Sequence, residues 1–267
     1  MGRQDRPIGV FDSGLGGLTV LRALRELMPR ENLLYYGDTA HVPYGSKSAQ
    51  TVTRYSLDIA AFLASKHAKL LVVACNTASS LALQALRQAV KIPVLGVISP
   101  GAQAAAACTR NRRVGIIGTE ATIKSRTYRN EIKKADPRVR VYGLPCPLFV
   151  PLVEEGWWDN EIASLTAKTY LAPLRNSGID TLILGCTHYP VLKPLIQRAM
   201  GPKVQLVDSA RAMAEQVREK LAETGLQRQR GKGKTVFYAS DDPDRFRRLA
   251  KNLLGGSPSA VLLKKFD

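Results

Sequence analysis

The sequence predicts an α/β protein made of two similar domains, each with a mainly parallel sheet flanked by helices. Short β-branched apolar runs alternate with longer amphipathic segments rich in Ala and Leu along the 267 residues, a pattern typical of parallel sheets. The strand-like runs are apolar throughout, as expected where helices cover both faces of a sheet. A faint internal repeat, described below, divides the chain into two halves.

Strands and helices are expected in regular alternation. The expected strands are Ile8–Phe11, Leu33–Tyr36, Leu70–Ala74, Val94–Val97, Val114–Ile117, Val139–Gly143, Thr181–Leu184, Val204–Val207 and Thr235–Ala239. The expected helices are Leu18–Met28, Ala49–Lys66, Ser79–Ala89, Ala121–Lys134, Asp159–Leu174, Val191–Met200, Arg211–Glu223 and Asp244–Leu254. Residues 211–267 extend beyond the two halves as a tail that contains a basic amphipathic helix.

Three pairs of similar segments carry the repeat. They occur in the same order in both halves, at offsets of 106, 111 and 110 residues: Ile8–Gly14 with Val114–Glu120, Leu71–Thr77 with Leu182–His188, and Val94–Ser99 with Val204–Ser209. Chance similarity between apolar strands would explain any one pair. The ordered set of three favours two halves of the same build.

The chain is strongly basic, with 39 Lys and Arg against 22 Asp and Glu and a formal net charge of +17. The basic excess is concentrated in residues 99–140 and 211–267, whereas residues 141–210 are slightly acidic. No basic run is interleaved with the aromatic residues that stack on bases, and no zinc-finger, bZIP or RRM signature is present. Solvated helix faces and loops explain the charge better. Nucleic-acid binding is therefore only a distant alternative.

The composition indicates a soluble cytoplasmic protein. Hydrophobic residues make up 45% of the chain, which is enough for a buried core and excludes intrinsic disorder. No apolar run approaches the roughly 18 residues of a membrane span, and the first residues lack the apolar stretch of a signal peptide. Four cysteines are too sparse for a disulfide-stapled secreted domain of this length.

Two of the cysteines stand where active sites form. Cys75 and Cys186 each follow an apolar strand and precede a helix, at matching places in the repeat. Ligands of open α/β sheets bind beyond the carboxyl ends of the strands. Peptide N–H groups at the start of a helix favour an anion, so such a turn is expected to poise a thiolate near neutrality. Cys108 and Cys146 lack this context and are expected to be structural.

Other cysteine chemistries fit less well. A zinc site is disfavoured because the cysteines are far apart and form no Cys-x-x-Cys pair, and no metal is expected. The same spacing argues against a disulfide redox pair. A Cys-His hydrolase with Cys186 and His188 is conceivable, but it leaves Cys75 without a role.

Two glycine-containing segments resemble nucleotide loops only superficially. In Asp12–Gly17 the third glycine of a dinucleotide fingerprint is missing, since position 19 is Thr, and the acidic residue would repel a pyrophosphate. The segment is better interpreted as delivering a carboxyl group to an active-site mouth. Gly233–Thr235 lacks the first glycine of a phosphate loop and precedes a strand.

Three further segments could contribute to a site. Pro43–Ser46 follows the second strand and its Gly37–Asp38 loop, and offers backbone N–H groups and a hydroxyl, although an ordinary turn would look the same. Gly118–Thr122 offers two hydroxyls at the equivalent turn of the second half. Leu152–Trp158 places carboxylates beside an apolar cluster, a setting that can shift a pKa.

These motifs together resemble those of the glutamate racemases, in the aspartate/glutamate racemase superfamily. The similar segments, in order along nearly the whole chain, are Asp12–Val20, Pro43–Gly45, Ala74–Ala78, Pro151–Glu154 and Gly185–Pro190. The resemblance implies a cofactor-independent enzyme that interconverts L- and D-glutamate and supplies D-glutamate for bacterial peptidoglycan. It implies a two-base mechanism, in which one cysteine thiolate removes the α-proton and the other thiol returns one to the opposite face.

The resemblance also implies roles for individual residues. It places Asp12 beside Cys75, and Glu154 with His188 beside Cys186, to tune the two thiols. The residues implied to bind the ammonium and carboxylates of the substrate are Asp12, Ser13, Tyr44, Gly45, Asn76, Thr77, Thr187 and His188, with Thr119 and Thr122 as secondary candidates. Another racemase of the superfamily, acting on aspartate or a hydantoin, is the nearest alternative.

The resemblance finally sets the expected architecture. Residues 1–98 with 208–267 would form the first domain and residues 99–207 the second, related by an approximate twofold axis, with the active site in the cleft between them. The repeat alone would give two consecutive halves. A homodimer is expected because members of the family commonly form one.

Overall fold

The computed structural model describes residues 2–256, 258 and 260–266. Met1, Ser257, Ser259 and Asp267, which belong to the expected first domain, lie outside the described residues. The strands are β1 Ile8–Asp12, β2 Leu33–Gly37, β3 Leu70–Val73, β4 Val94–Gly96, β5 Arg113–Gly118, β6 Arg140–Pro145, β7 Thr181–Gly185, β8 Gln205–Val207, β9 Thr235–Ala239 and β10 Val261–Leu263. The α-helices are α1 Leu18–Leu27, α2 Ala49–Ser65, α3 Asn76–Leu81, α4 Leu83–Ala89, α5 Ile98–Cys108, α6 Glu120–Lys124, α7 Thr127–Ala135, α8 Phe149–Glu154, α9 Glu161–Asn176, α10 Lys193–Met200, α11 Ser209–Glu223 and α12 Pro243–Leu254. Short 3₁₀ helices cover Arg3–Asp5, Tyr44–Ser46 and Tyr189–Leu192.

The strands form two parallel sheets, which confirms the expected fold class. The first sheet has the order β10-β9-β2-β1-β3-β4 and the second has the order β6-β5-β7-β8. Every strand pair is parallel. The order β2-β1-β3-β4 in the first sheet is the same as β6-β5-β7-β8 in the second. The three matched segment pairs of the repeat therefore occupy equivalent strands.

The chain passes between the two sheets twice. It leaves the first sheet after β4, forms all of the second sheet, and returns to the first at β9. The helices that follow the two crossings, α5 and α11, pack against each other. Their contact is close, because a Cβ atom on Gly101 would lie 3.0 Å from Cβ of Ser209.

Helices cover both faces of the sheets, as the apolar strands predict. In β1, which is wholly buried, Val10 packs in the cluster that contains α1 and α11, whereas the next residue, Phe11, packs in the cluster of α2. Adjacent residues of a strand face opposite sides, so each face of this strand has its own core. None of the described helices has the length and apolar character needed to cross a membrane.

Several predicted boundaries differ from those observed. The expected helix Ser79–Ala89 begins earlier, at Asn76, and is divided into α3 and α4 at Ala82. The expected helix Ala121–Lys134 is divided into α6 and α7, because Arg126 has a left-handed backbone with φ of 57°. Helices α5 and α8 and strand β10 were not expected. Strand β10 is only three residues long, lies at the sheet edge and exposes both of its leucines, so it lacks the pattern of a buried strand.

Candidate active site

The carboxyl ends of the central strands of both sheets supply the candidate site. Asp12 ends β1 and Cys75 follows β3 in the first sheet, while Thr119 follows β5 and Cys186 follows β7 in the second. Hydrogen bonds connect the two groups directly. Thr187 donates from its hydroxyl to Asp12 Oδ1 over 3.1 Å, and the hydroxyls of Thr77 and Thr119 lie 2.9 Å apart. The site is therefore formed between the domains.

Cys75 caps the N-terminus of α3 and is only 4% exposed. Its sulfur accepts a hydrogen bond from the Ala78 N–H over 3.5 Å, and its thiol donates to the Ser13 hydroxyl over 3.6 Å. Burial and the nearby charge of Asp12 nevertheless raise the pKa of Cys75 to about 12. The strand-to-helix turn by itself does not poise a thiolate near neutrality, contrary to the expectation from sequence, because desolvation outweighs the helix N–H groups.

Cys186 has a different environment. Its sulfur lies 3.7 Å from Nδ1 of His188, and Nε2 of His188 lies 2.6 Å from Oε1 of Glu154. Burial lowers the pKa of His188, but the hydrogen bonds to Cys186 and Glu154 outweigh it and raise this pKa well above its usual value. The pKa of Glu154 is lowered, since the hydrogen bond and charge of His188 overcome the effect of burial. A charged imidazolium therefore lies between a carboxylate and the sulfur.

Asp12 is fully buried and touches both halves of the site. Its Oδ2 accepts the backbone N–H of Gly14 over 3.0 Å, and its Oδ1 accepts the hydroxyl of Thr187. Burial raises the pKa of Asp12, although the charge of His188 and these hydrogen bonds oppose the rise. A carboxyl group with a raised pKa takes up a proton more readily than an ordinary carboxylate does, which suits a group that exchanges protons with its surroundings.

Three threonine hydroxyls form a buried cluster across the domain boundary. Thr77 Oγ1 lies 2.9 Å from Thr119 Oγ1 and 3.3 Å from Thr122 Oγ1, and the last two are 3.0 Å apart. Gly45 packs against this cluster, because a Cβ atom there would lie 2.5 Å from Cβ of Thr119. The two secondary candidates for substrate binding, Thr119 and Thr122, therefore lie next to Thr77, which is one of the primary candidates.

Tyr44 and Asn76 complete the predicted set. The hydroxyl of Tyr44 donates to Oδ2 of Asp38 over 2.5 Å, and burial followed by the charge of Asp38 raises its pKa. Oδ1 of Asn76 accepts the hydroxyl of Tyr128 over 2.6 Å. Nδ2 of Asn76 is buried and has no hydrogen-bond partner among the described residues. A buried donor without a partner is costly, so this amide is ready to bind an acceptor.

Three residues that shape the site, Gly16, Asp38 and Tyr128, were not among the site residues predicted from the sequence. The backbone of Gly16 lies close to the second domain, since a Cβ atom there would lie 2.5 Å from Oγ1 of Thr187 and 2.8 Å from Nδ1 of His188. Asp38 accepts a hydrogen bond from the hydroxyl of Tyr44, and Tyr128 donates one to the amide oxygen of Asn76. The glycine-rich opening signalled a close backbone approach, but its partner in the second domain cannot be read from the sequence.

The chemistry available to the site is proton transfer by thiols. All four cysteines are free, and within the described ranges no group of three or more His, Cys, Asp or Glu side chains is arranged to hold a metal ion. Two buried thiols, each with an ionisable partner, come from equivalent positions of the two sheets. They offer a base and an acid to a molecule bound between them.

Comparisons with known proteins agree with this geometry. The family model described as Asp/Glu/Hydantoin racemase matches residues 8–217. A glutamate racemase from Geobacter metallireducens is 56% identical over 252 residues, which cover 94% of this chain and 93% of that protein. Glutamate racemase from Francisella tularensis in complex with D-glutamate has a TM-score of 0.93 at 37% identity over 99% of both chains. The Thermus thermophilus enzyme in complex with beta-chloro-D-alanine has a TM-score of 0.89 at 46% identity over 98% of both. The chain therefore belongs to the glutamate racemases of the Asp/Glu/Hydantoin racemase family.

Proposed function

We propose that this protein interconverts L- and D-glutamate without a cofactor and supplies D-glutamate for peptidoglycan synthesis. The observation that carries the proposal is the placement of Cys75 and Cys186 after equivalent strands of two similar sheets, at one shared site. Inversion of a carbon centre by proton transfer needs a base on one face and an acid on the other. Two facing domains supply one such group each.

In the proposed reaction, a thiolate on one side removes the α-proton, and the thiol on the other side donates a proton to the opposite face of the resulting carbanion. Reversing the direction of the reaction exchanges the two roles. The α-proton of an amino acid is far less acidic than a thiol, so the surroundings must stabilise the carbanion. Buried hydrogen-bond donors that are already in place are effective in this role, since they need no reorganisation.

The ionisable groups next to each sulfur would control whether that sulfur is protonated. His188, held charged by Glu154, lies against Cys186 and stabilises a negative sulfur there. Cys75 is protonated at neutral pH, since its pKa is raised to about 12. Asp12 is the carboxyl group near Cys75 that would take up that proton when Cys75 has to act as the base. Cys75 is thus set as the acid of the free site.

The remaining predicted residues would bind the substrate. Nδ2 of Asn76 is a buried donor without a partner among the described residues, which suits a carboxylate. The hydroxyl of Ser13 is a further polar group beside the sulfur of Cys75. The hydroxyls of Thr77 and Thr119, which lie 2.9 Å apart, are proposed as additional donors. The hydroxyl of Tyr44 is already engaged by Asp38, so its proposed contribution is the shape of the turn that it shares with Gly45.

The boundaries between the two domains are proposed to lie near residues 98 and 208. They are supported by the membership of the sheets, since β1–β4 and β9–β10 form one sheet and β5–β8 the other. The homodimer and the cytoplasmic location remain predictions from the family resemblance.

The proposal is tested by racemisation of glutamate, followed by circular dichroism without added pyridoxal phosphate, in Cys75→Ala and Cys186→Ala variants. Each variant should lose racemisation, because each removes one of the two proton-transfer groups. Cys108→Ala is the matched control, since Cys108 lies on α5 outside the site, and should keep full activity. Racemisation retained in either of the first two variants contradicts the two-base mechanism.

The choice of substrate is tested by exchange of the α-proton with D₂O. Glutamate should exchange rapidly and aspartate slowly. Faster exchange of aspartate would favour the alternative, a related racemase of the same superfamily.

A further inference from the structure

Tyr128 belongs to the second sheet's helices but reaches a residue of the first. It is the second residue of α7, is 2% exposed, and donates its hydroxyl to Oδ1 of Asn76 over 2.6 Å. Asn76 is the first residue of α3, directly after Cys75. The hydrogen bond therefore connects the two domains beneath the candidate site.

The ring of Tyr128 is held in place by two glycines. A Cβ atom on Gly185, the residue before Cys186, would lie 3.2 Å from Cε2 of Tyr128. A Cβ atom on Gly101 would lie 3.4 Å from the phenol oxygen. Side chains at either position would crowd the ring. The phenol ring therefore packs between the backbone next to Cys186 and helix α5.

The phenol of Tyr128 sets the orientation of the amide. The phenol has one proton, and it donates this proton to Asn76. The carbonyl oxygen of the Asn76 amide must then face Tyr128, and its NH₂ group must face away. That NH₂ group is the buried donor that lacks a partner among the described residues.

We propose that Tyr128 is a positioning residue, which fixes the Asn76 amide so that its NH₂ group donates to a carboxylate of the bound substrate. The inference rests on the proposed function, in which Asn76 binds glutamate. Tyr128 touches no reacting atom in this role. It acts on substrate affinity, and it does so only while the two domains are in contact.

The test compares glutamate racemisation by the wild-type protein, Tyr128→Phe, Asn76→Ala and the double variant. Tyr128→Phe should raise KM for glutamate about threefold to tenfold, the loss expected for one neutral hydrogen bond, with kcat changed by less than about threefold. In the Asn76→Ala background the same substitution should have no further effect on KM. Tyr170→Phe is the matched control, because it removes a hydroxyl that accepts the Leu148 N–H outside the site, and its KM should equal that of the wild type.

A second measurement covers variants that turn over too slowly. The dependence of the melting temperature on glutamate concentration gives an apparent dissociation constant without turnover, and it should show the same pattern. An unchanged KM in Tyr128→Phe, or an equal rise of KM in the presence and absence of Asn76, would overturn the inference. Failure of the proposed function is distinct, since the wild-type protein itself would then not racemise glutamate.

Discussion

Replacing Glu154 by glutamine removes the negative charge next to His188 and keeps the size of the side chain. Oε1 of Glu154 lies 2.6 Å from Nε2 of His188, and both side chains are largely shielded from water. An opposite charge at such a distance shifts a pKa by roughly one to three units. One unit corresponds to about 1.36 kcal/mol. The charged form of His188 should therefore lose about 1.4 to 4 kcal/mol of stabilisation in the Glu154→Gln variant.

This loss has a defined pH dependence. The pKa of His188 is raised well above its usual value in the wild type, so the imidazolium persists into the alkaline range and is lost only as the pH rises through that pKa. In Glu154→Gln the pKa falls, and the alkaline limb of kcat should move to lower pH by roughly one to three units. The ratio of the two kcat values should grow as the pH rises from the limb of the variant to that of the wild type, and should reach its full value of about 10- to 1000-fold above the wild-type limb. Part of the activity should return at lower pH, where His188 is again charged.

The assay is kcat for glutamate racemisation between pH 6 and 10, measured by circular dichroism. Glu155→Gln is the control, because Glu155 is the next residue, is exposed and pairs with Arg245 instead. It should keep the profile of the wild type. An alkaline limb at the same pH in Glu154→Gln and in the wild type would refute the role assigned to Glu154.

Two further predictions concern packing and stability. Gly16→Ala places a methyl group within 2.5 Å of the Thr187 hydroxyl, so we expect a loss of about 1–3 kcal/mol in the free energy of unfolding and a fall in kcat. Urea denaturation measures the first effect and racemisation of glutamate the second. A fully active and equally stable variant would contradict the close approach. Lys69→Met breaks a buried pair with Glu31, in which Nζ also donates to the carbonyls of Gln4 and Leu226. We expect Lys69→Met to lower the free energy of unfolding by about 3–5 kcal/mol. The kcat of the folded fraction should stay unchanged, because Lys69 precedes β3 whereas the site follows it. The exposed Lys66→Met is the control, and equal urea midpoints for the two variants would show that the buried pair is unimportant.

The parts of the site predicted from sequence are those encoded locally. Cys75 and Cys186 follow apolar strands, and the topology of a parallel sheet places such positions at one edge. The same strand order in both sheets explains why a repeat of only three short segments located both cysteines. Local patterns of this kind do not depend on knowing which distant residues pack together.

The parts not predicted depend on contacts between distant segments. Tyr128 and Asn76 are 52 positions apart, and nothing in the basic, amphipathic pattern of α7 marks one tyrosine as a partner of the site. The raised pKa of Cys75 has the same origin. Sequence shows the helix start that favours a thiolate, whereas the desolvation that opposes it arises only when both domains bury the sulfur.

The two crossings between the sheets have a mechanical consequence. Both sulfurs are almost completely buried, so we expect the domains to separate when a substrate enters or leaves. The crossings run side by side, with Gly101 against Ser209. Two adjacent covalent connections permit rotation about the line that joins them and oppose sliding or twisting. We therefore expect each closure to return the two sulfurs to the same mutual alignment, which a reaction with a proton donor and acceptor on opposite faces requires at every turnover.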